Sequence, residues 1–217
     1  MSGGYGQFTP GTDQAEFNAL SFLIQQALLK MQTVTLVQVV AVHGTGVVPA
    51  GTVDVQPLVN QMTGNRVAVA HGTIYGVPYF RVQGGVGAII CDPVAGDIGL
   101  CAFASRDISA VKSTKAAANP GSQRTFDWAD GLYLGGFLNV APTAYLEFNA
   151  DHSITLVSPV KVTIQAPAID LEGSTSITLN SPAVHLTGGG AVIDGKNFLA
   201  HTHTGVQSGG SNTGGVT

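Results

Sequence analysis

An internal repeat near the end of the chain places the strongest constraint on its fold. Between residues 154 and 193, short segments of alternating apolar and polar residues are separated by turn-forming residues. These breaks recur at intervals of seven or eight positions, at Pro159, Pro167, Ser174, Pro182 and Gly190. A fixed period indicates one structural unit stacked several times. Alternation within each unit predicts one short β-strand with one apolar face.

The two faces of these strands differ sharply in chemistry. The apolar face carries Ile154, Leu156, Val160, Val162, Ile164, Ile169, Leu171, Ile177, Leu179, Val184 and Leu186. The other face carries Lys161, Thr163, Gln165, Asp170, Glu172, Thr178 and His185. Three intertwined chains would bring three apolar faces onto one axis and pair every strand edge. The sequence therefore predicts a trimeric β-helix, a triangular prism, over 147–195. The alternative is a one-chain β-solenoid, for which the segment is short.

The segment after the repeat contains a possible metal site. In HTHTGVQSGGSNTGGVT, His201 and His203 project to the same side of an extended chain. One chain supplies two imidazoles, which are too few for a closed tetrahedral zinc site. Three chains on a threefold axis supply six, an octahedral set that suits a first-row transition ion such as iron. We expect one structural iron ion per trimer, bound by His201 and His203 in an apex spanning 196–217.

The N-terminal segment, 1–32, contains a predicted helix over roughly 13–31. Asp13 followed by Glu16 resembles a capping box. Apolar residues then recur at spacings of three and four and form one stripe, made of Phe17, Leu20, Ile24, Ala27 and Met31. Either this stripe covers the helix's own domain or it also contacts a neighbouring subunit. Two heptads do not distinguish these alternatives.

The zone 33–110 reads as several short strands bounded by Gly, Pro or Asn, such as TVTLVQVVAV, VDVQPLV, RVAVA, VPYFRV, GAIICDP and GLCAFA. This pattern predicts a small closed barrel, with an OB-fold as the natural candidate at this length.

The zone 111–146 is expected to be a connector in which Trp128 is a buried anchor. Cys91 and Cys101 are expected to be buried, unpaired thiols. The chain is predicted to be all-β apart from its N-terminal helix.

Charge and the N-terminal sequence exclude several classes of function. Charged residues make up 10% of the chain and the net charge is -4, whereas a nucleic-acid-binding protein needs a basic face. Arg66, Arg81 and Arg106 are isolated, so no nucleic acid partner is expected. The first residues lack the features of a targeting signal. No stretch is apolar for long enough to cross a membrane as a helix.

Five longer stretches together carry a family resemblance. They read VDVQPLVNQ, HGTIYGVPYFRVQGG, GDIGLCAFASRDIS, KAAANPGSQRTFDWADGLYLGGFLN and HTHTGVQSGGSNTGG. They resemble the central-spike family of contractile phage tail baseplates, over nearly the whole chain. The stretches around 93–109 and 115–139 are the most specific. The resemblance implies an N-terminal OB-fold, an intertwined trimeric β-helix and an apex that holds iron through an HxH motif, here His201 and His203.

The resemblance also implies a place and a role. A protein of this family is a virion component, made in the host cytoplasm, that sits beneath the tail tube and contacts tube and baseplate hub proteins. It punctures the bacterial outer membrane as the sheath contracts, and it has neither catalytic activity nor a small-molecule substrate. Because the repeat here is short, we expect a stubby spike. The alternatives are a trimeric receptor-binding or adhesin-like tail protein and a spike-borne cell-wall hydrolase, which would need a further domain.

Overall fold

A computed structural model describes residues 16–188 and 191–197. The chain divides into two compact units, Met1–Val157 and Ser158–Thr217. Most of the regular structure is β, with few helices. None of the described helices is long and apolar enough to cross a membrane.

Within residues 16–157 the first unit contains two helices, one 3₁₀ turn and eleven strands. The helices are α1 (Glu16–Leu29) and α2 (Ser109–Thr114), and the 3₁₀ turn is Trp128–Asp130. The strands are β1 (Val34–His43), β2 (Thr52–Pro57), β3 (Gln61–Met62), β4 (Ala68–Val69), β5 (Ile74–Pro78), β6 (Val82–Gly84), β7 (Gly87–Ile89), β8 (Ile98–Phe103), β9 (Gly131–Gly136), β10 (Tyr145–Phe148) and β11 (Ile154–Val157). In the second unit the described strands are β12 (Val192–Ile193) and β13 (Lys196–Asn197).

Five of these strands form one antiparallel sheet in the order β5-β2-β1-β8-β9. The sheet curls into a half-barrel, so that its two edges approach each other. Tyr79, just after β5, forms a parallel bridge with Tyr133 of β9. The backbone N–H of Phe80 donates to the carbonyl of Tyr133 at 2.7 Å. The sequence suggested a connector over 111–146, but this range contributes β9 to the sheet.

The core lies on the concave side of this sheet. Along β2 and β8 buried residues alternate with less buried ones, as expected for strands with one covered face. The buried residues are Val37, Val39, Val53, Val55, Val77, Tyr79, Cys101, Phe103 and Tyr133. Trp128, expected to be buried, is half-buried against this core and packs edge-on against Phe103, with ring centroids 4.9 Å apart.

Cys101 is buried as predicted, but Cys91 is exposed, so that prediction was wrong for Cys91.

Two predicted strands differ from the observed ones. The run VPYFRV was expected to be one strand, but β5 ends at Pro78 and β6 begins at Val82. Proline has no backbone N–H to continue a ladder. The buried side chain of Arg81 instead forms an ion pair with Asp92. The run RVAVA yields only the two-residue strand β4, which pairs with β3.

The described part of the second unit has little regular structure within one chain. Residues 158–188 contain neither helix nor strand, and every residue from 159 to 188 is exposed. A one-chain β-solenoid requires strands of the same chain to pair with one another. No such pairing occurs over 158–188.

Candidate functional site

The hairpin formed by β10 and β11 presents an uncovered apolar face. Its register pairs Leu146 with Leu156 and Phe148 with Ile154. Positions two apart on a strand share a face, so these four side chains form one apolar surface. Each of them is 56–74% exposed. A two-stranded hairpin is at best marginally stable in water, so this one needs a further apolar surface against its open face.

The apolar residues of the repeat, in the second unit, are uncovered as well. They are Val160, Val162, Ile164, Ile169, Leu171, Ile177, Leu179, Val184 and Leu186, and their exposed fractions range from 47% to 90%. Monomeric soluble proteins rarely expose apolar surface on this scale, and such surface usually marks an interaction site. The described repeat therefore has the chemistry of an assembly interface.

The predicted metal ligands, His201 and His203, lie outside the described residues, as do 198–200 and 204–217 of the predicted apex. Within 16–188 and 191–197 no group of three or more His, Cys, Asp or Glu side chains is arranged to hold a metal ion.

Two histidines among the described residues contact other side chains of the first unit. His43 Nε2 lies 2.9 Å from Asp54 Oδ2 at the end of β1, and this contact holds the pKa of Asp54 below its usual value. His71 packs against Trp128, with ring centroids 4.7 Å apart. His185 is exposed, like every residue from 159 to 188, so its assignment to the outward face stays a prediction.

Two buried carboxylates share one guanidinium where the segment after α2 returns to the sheet. Arg124 donates through Nε to Asp130 Oδ2 at 2.6 Å and through Nη2 to Asp107 Oδ1 at 2.7 Å. Asp107 also accepts hydrogen bonds from Ser109 N and from Ser122 Oγ. This network fixes the segment after α2 to the sheet.

The same contacts keep both carboxylates charged. The pKa of Asp107 falls to about 2 because Ser109 and then Ser122 donate to the carboxylate, with a further contribution from the Arg124 charge. The hydrogen bonds from the Arg124 guanidinium lower the pKa of Asp130, although the carboxylate is buried. A carboxylate held ionised by full hydrogen bonding is a structural anchor rather than a proton donor.

A second ion pair ties the segment after β5 to the β1–β2 loop and to the segment after β7. Arg81 Nη2 donates to Asp92 Oδ1 at 2.7 Å, and Arg81 Nη1 donates to the carbonyl of Val48 at 2.6 Å. Tyr79 Oη also donates to Asp92, at 2.8 Å. The backbone N–H of Gly46, the Tyr79 hydroxyl and the Arg81 guanidinium lower the pKa of Asp92, in that order. Arg81 is therefore committed to an internal contact.

Sequence reasoning missed both of these networks. Asp107 and Arg124 are 17 residues apart, and no periodic signal links them. Arg81 was noted only as an isolated cation. The one available signal was the low charge of the chain, since in a chain with few charges each Arg near an Asp is a candidate internal ion pair.

No protein-family model matches the chain, and no curated protein matches it significantly.

Proposed function

We propose that this protein is the central spike of a contractile phage tail baseplate and acts as a homotrimer. The observation that carries the proposal is the uncovered apolar face of the β10–β11 hairpin, together with the exposed aliphatic residues of the repeat that follows it in sequence. Two further copies of the chain would supply the missing walls. The trimeric β-helix would then begin at this hairpin and extend through the repeat as a triangular prism.

We further propose that the curled sheet of the first unit is an OB-fold. Its five strands and the contact between Tyr79 and Tyr133 across the open edge are consistent with a five-stranded, partly open barrel. The usual OB-fold ligand, an oligonucleotide, would require basic and aromatic groups along a groove. Arg81 is buried in an ion pair instead, which supports a structural role for this barrel.

The proposed apex holds one iron ion per trimer, coordinated by His201 and His203 of each chain. Six imidazole ligands leave no open coordination position, so the ion would be structural and not catalytic. It would join three chain ends where the mechanical load during penetration is greatest. This site rests on the HxH sequence and on its position after the repeat.

The proposed place of the protein is the tip of the virion, below the tail tube and in contact with baseplate hub proteins. Sheath contraction would drive the trimer through the bacterial outer membrane. The low charge of the chain, 10% of its residues, supports this role because most of its surface would face other chains. The protein would have no catalytic activity, nucleic acid partner or small-molecule substrate.

One experiment tests assembly and metal content together. Light scattering coupled to size-exclusion chromatography gives the mass of the full chain in solution, and elemental analysis of the same fraction gives its metal content. We expect a trimer with one iron ion per three chains. A folded monomer at micromolar concentration would contradict the proposal. A metal-free trimer that binds bacterial glycans in an array would favour the receptor-binding alternative.

A further inference from the structure

Helix α1 carries an apolar stripe that does not pack on its own domain. Phe17, Leu20 and Ile24 are 78%, 56% and 52% exposed. The less exposed side of the helix is instead formed by Ala19, Phe22 and Gln26. Of the two alternatives that the sequence left open, covering its own domain is therefore wrong for this stripe.

The chemistry of α1 favours copies of itself as the partner. From Phe17 to Leu29 the helix contains no charged residue. Partner choice between different helices is usually set by charged residues that flank the apolar seam, and α1 has none. Three parallel copies of one helix place identical side chains side by side, so an uncharged helix can associate with itself without repulsion between like charges.

The C-terminal end of α1 is fixed to the sheet of its own chain. The backbone N–H of Gln32 donates to the carbonyl of Phe126 at 3.2 Å, and β1 begins at Val34. Two heptads are marginal as an isolated coiled coil. Helices that are anchored to barrels already held in one trimer meet at high effective concentration, which removes most of the entropic cost of association.

We infer that the α1 helices of three chains pack against one another through Phe17, Leu20, Ile24 and Ala27 and form a short three-helix bundle, N-terminal in sequence to the main sheet. This inference rests on the proposed trimer. It adds a second self-association surface, in the first unit, that is independent of the β-helix.

Cysteine cross-linking in the full chain tests the inference. In a Cys91→Ser background, which removes the exposed native thiol, one variant carries Ile24→Cys on the stripe. A matched variant carries Gln25→Cys, which is exposed on the helix but lies off the stripe. Each is treated with a short bismaleimide and examined by denaturing electrophoresis, and light scattering of the same samples gives the oligomeric state. We expect cross-linking between chains at position 24 to be roughly tenfold faster than at position 25.

Each outcome decides the question. A trimer that cross-links equally at both positions, or at neither, would overturn the three-helix bundle while leaving the proposed spike intact. So would a trimer in which the thiol at position 24 reacts with a monofunctional maleimide but forms no cross-link between chains, since the stripe would then be open to a different protein. A monomer without cross-links would overturn both proposals. Position-specific cross-links in a chain whose repeat does not trimerise would support the bundle alone.

Discussion

Arg124 donates to both carboxylate oxygens of Asp130, through Nε at 2.6 Å and Nη2 at 2.9 Å. Asp130 is completely buried, and its Oδ1 also accepts the backbone N–H of Ile108 at 3.0 Å. Parallel hydrogen bonds between a guanidinium and a carboxylate combine charge with a fixed orientation. This pair holds the 3₁₀ turn, and with it the half-buried Trp128, against the sheet.

Asp130→Ala should destabilise the first unit markedly. The substitution removes the two hydrogen bonds from Arg124. It also leaves the backbone N–H of Ile108 without its acceptor in a buried site. We expect a loss of roughly 2–4 kcal/mol in the free energy of unfolding. Urea unfolding followed by the fluorescence of Trp128 measures it, since this is the only tryptophan in the chain.

The matched control is Asp170→Ala, which removes an exposed carboxylate from the repeat. It should leave the Trp128 transition within about 0.5 kcal/mol of the wild type. Equal effects of the two substitutions would show that the Arg124–Asp130 pair does not stabilise the fold.

Acid should destabilise the first unit over a defined range of pH. The pKa values of Asp54, Asp92, Asp107 and Asp130 are all lowered in the folded chain. Some carboxyl groups have a lower pKa in the folded chain than in the unfolded chain. Such a group stabilises the fold at every pH above its pKa in the unfolded chain. That contribution is lost as pH falls through the folded pKa. For Asp107 this loss occurs between about pH 3.8, the ordinary pKa of the group, and about pH 2, its pKa in the folded chain.

The thermal midpoint reported by Trp128 should therefore be nearly constant between pH 7 and about 5 and fall steeply below about pH 4. Asp107→Asn should make the decline shallower, while Glu172→Gln, in the exposed repeat, should leave its slope unchanged. A midpoint that drops already between pH 7 and 5 would contradict the assignment to these carboxylates.

Substitutions in the repeat should distinguish its two faces. Ile164→Asp or Leu179→Asp would place three carboxylates on one dry axis of the proposed prism, at a large cost in desolvation. We expect such chains to remain monomeric in light scattering. Thr163→Asp and Thr178→Asp introduce the same charge on the opposite face and should still give trimers. If inward and outward substitutions behaved alike, the alternation of faces would be wrong.

Removing the proposed iron ligands should abolish metal binding but not assembly. The double substitution His201→Ala, His203→Ala should reduce the iron measured by elemental analysis from one per trimer to none, while light scattering still shows a trimer. Acidification of the wild type should also release the ion, because a protonated imidazole cannot bind metal. His185→Ala, on the outward face of the repeat, is the control and should retain full occupancy. Equal iron in the wild type and the double variant would rule out this site.

The thiol of Cys101 should be inert in the folded chain. Its side chain is buried in the core, and burial raises its pKa to about 11, so the reactive thiolate is scarce at neutral pH. In a Cys91→Ser background, a chromogenic disulfide reagent should detect no thiol in the native protein and one thiol per chain in denaturant. Rapid reaction in the native protein would show that the sheet opens readily around β8.

Periodic features of the chain were predictable from sequence, and contacts between distant residues were not. The β-branched run of β1 and the alternating residues of β8 indicated strands because the pattern of one covered face is local. The pairing of Arg124 with Asp107 and Asp130 has no such pattern, since it depends on how the 3₁₀ turn and the residues that flank α2 come together. VPYFRV was misassigned because β5 ends at Pro78, which has no backbone N–H to continue the ladder. The pairing of the repeat strands stays a prediction, because residues from one chain alone do not supply their partners.

The exposed repeat has a consequence for the order of events during biosynthesis. The last strand of the main sheet ends at Gly136, ahead of the uncovered segment, so the sheet can form while the rest of the chain is still being synthesised. In the proposed trimer the repeat would have no partner until other copies arrive, which would make its folding concentration-dependent. Until then each new subunit would expose a strip of Val, Ile and Leu side chains that is prone to aggregation. Neighbouring ribosomes on one messenger RNA would bring the chains together early and shorten that period.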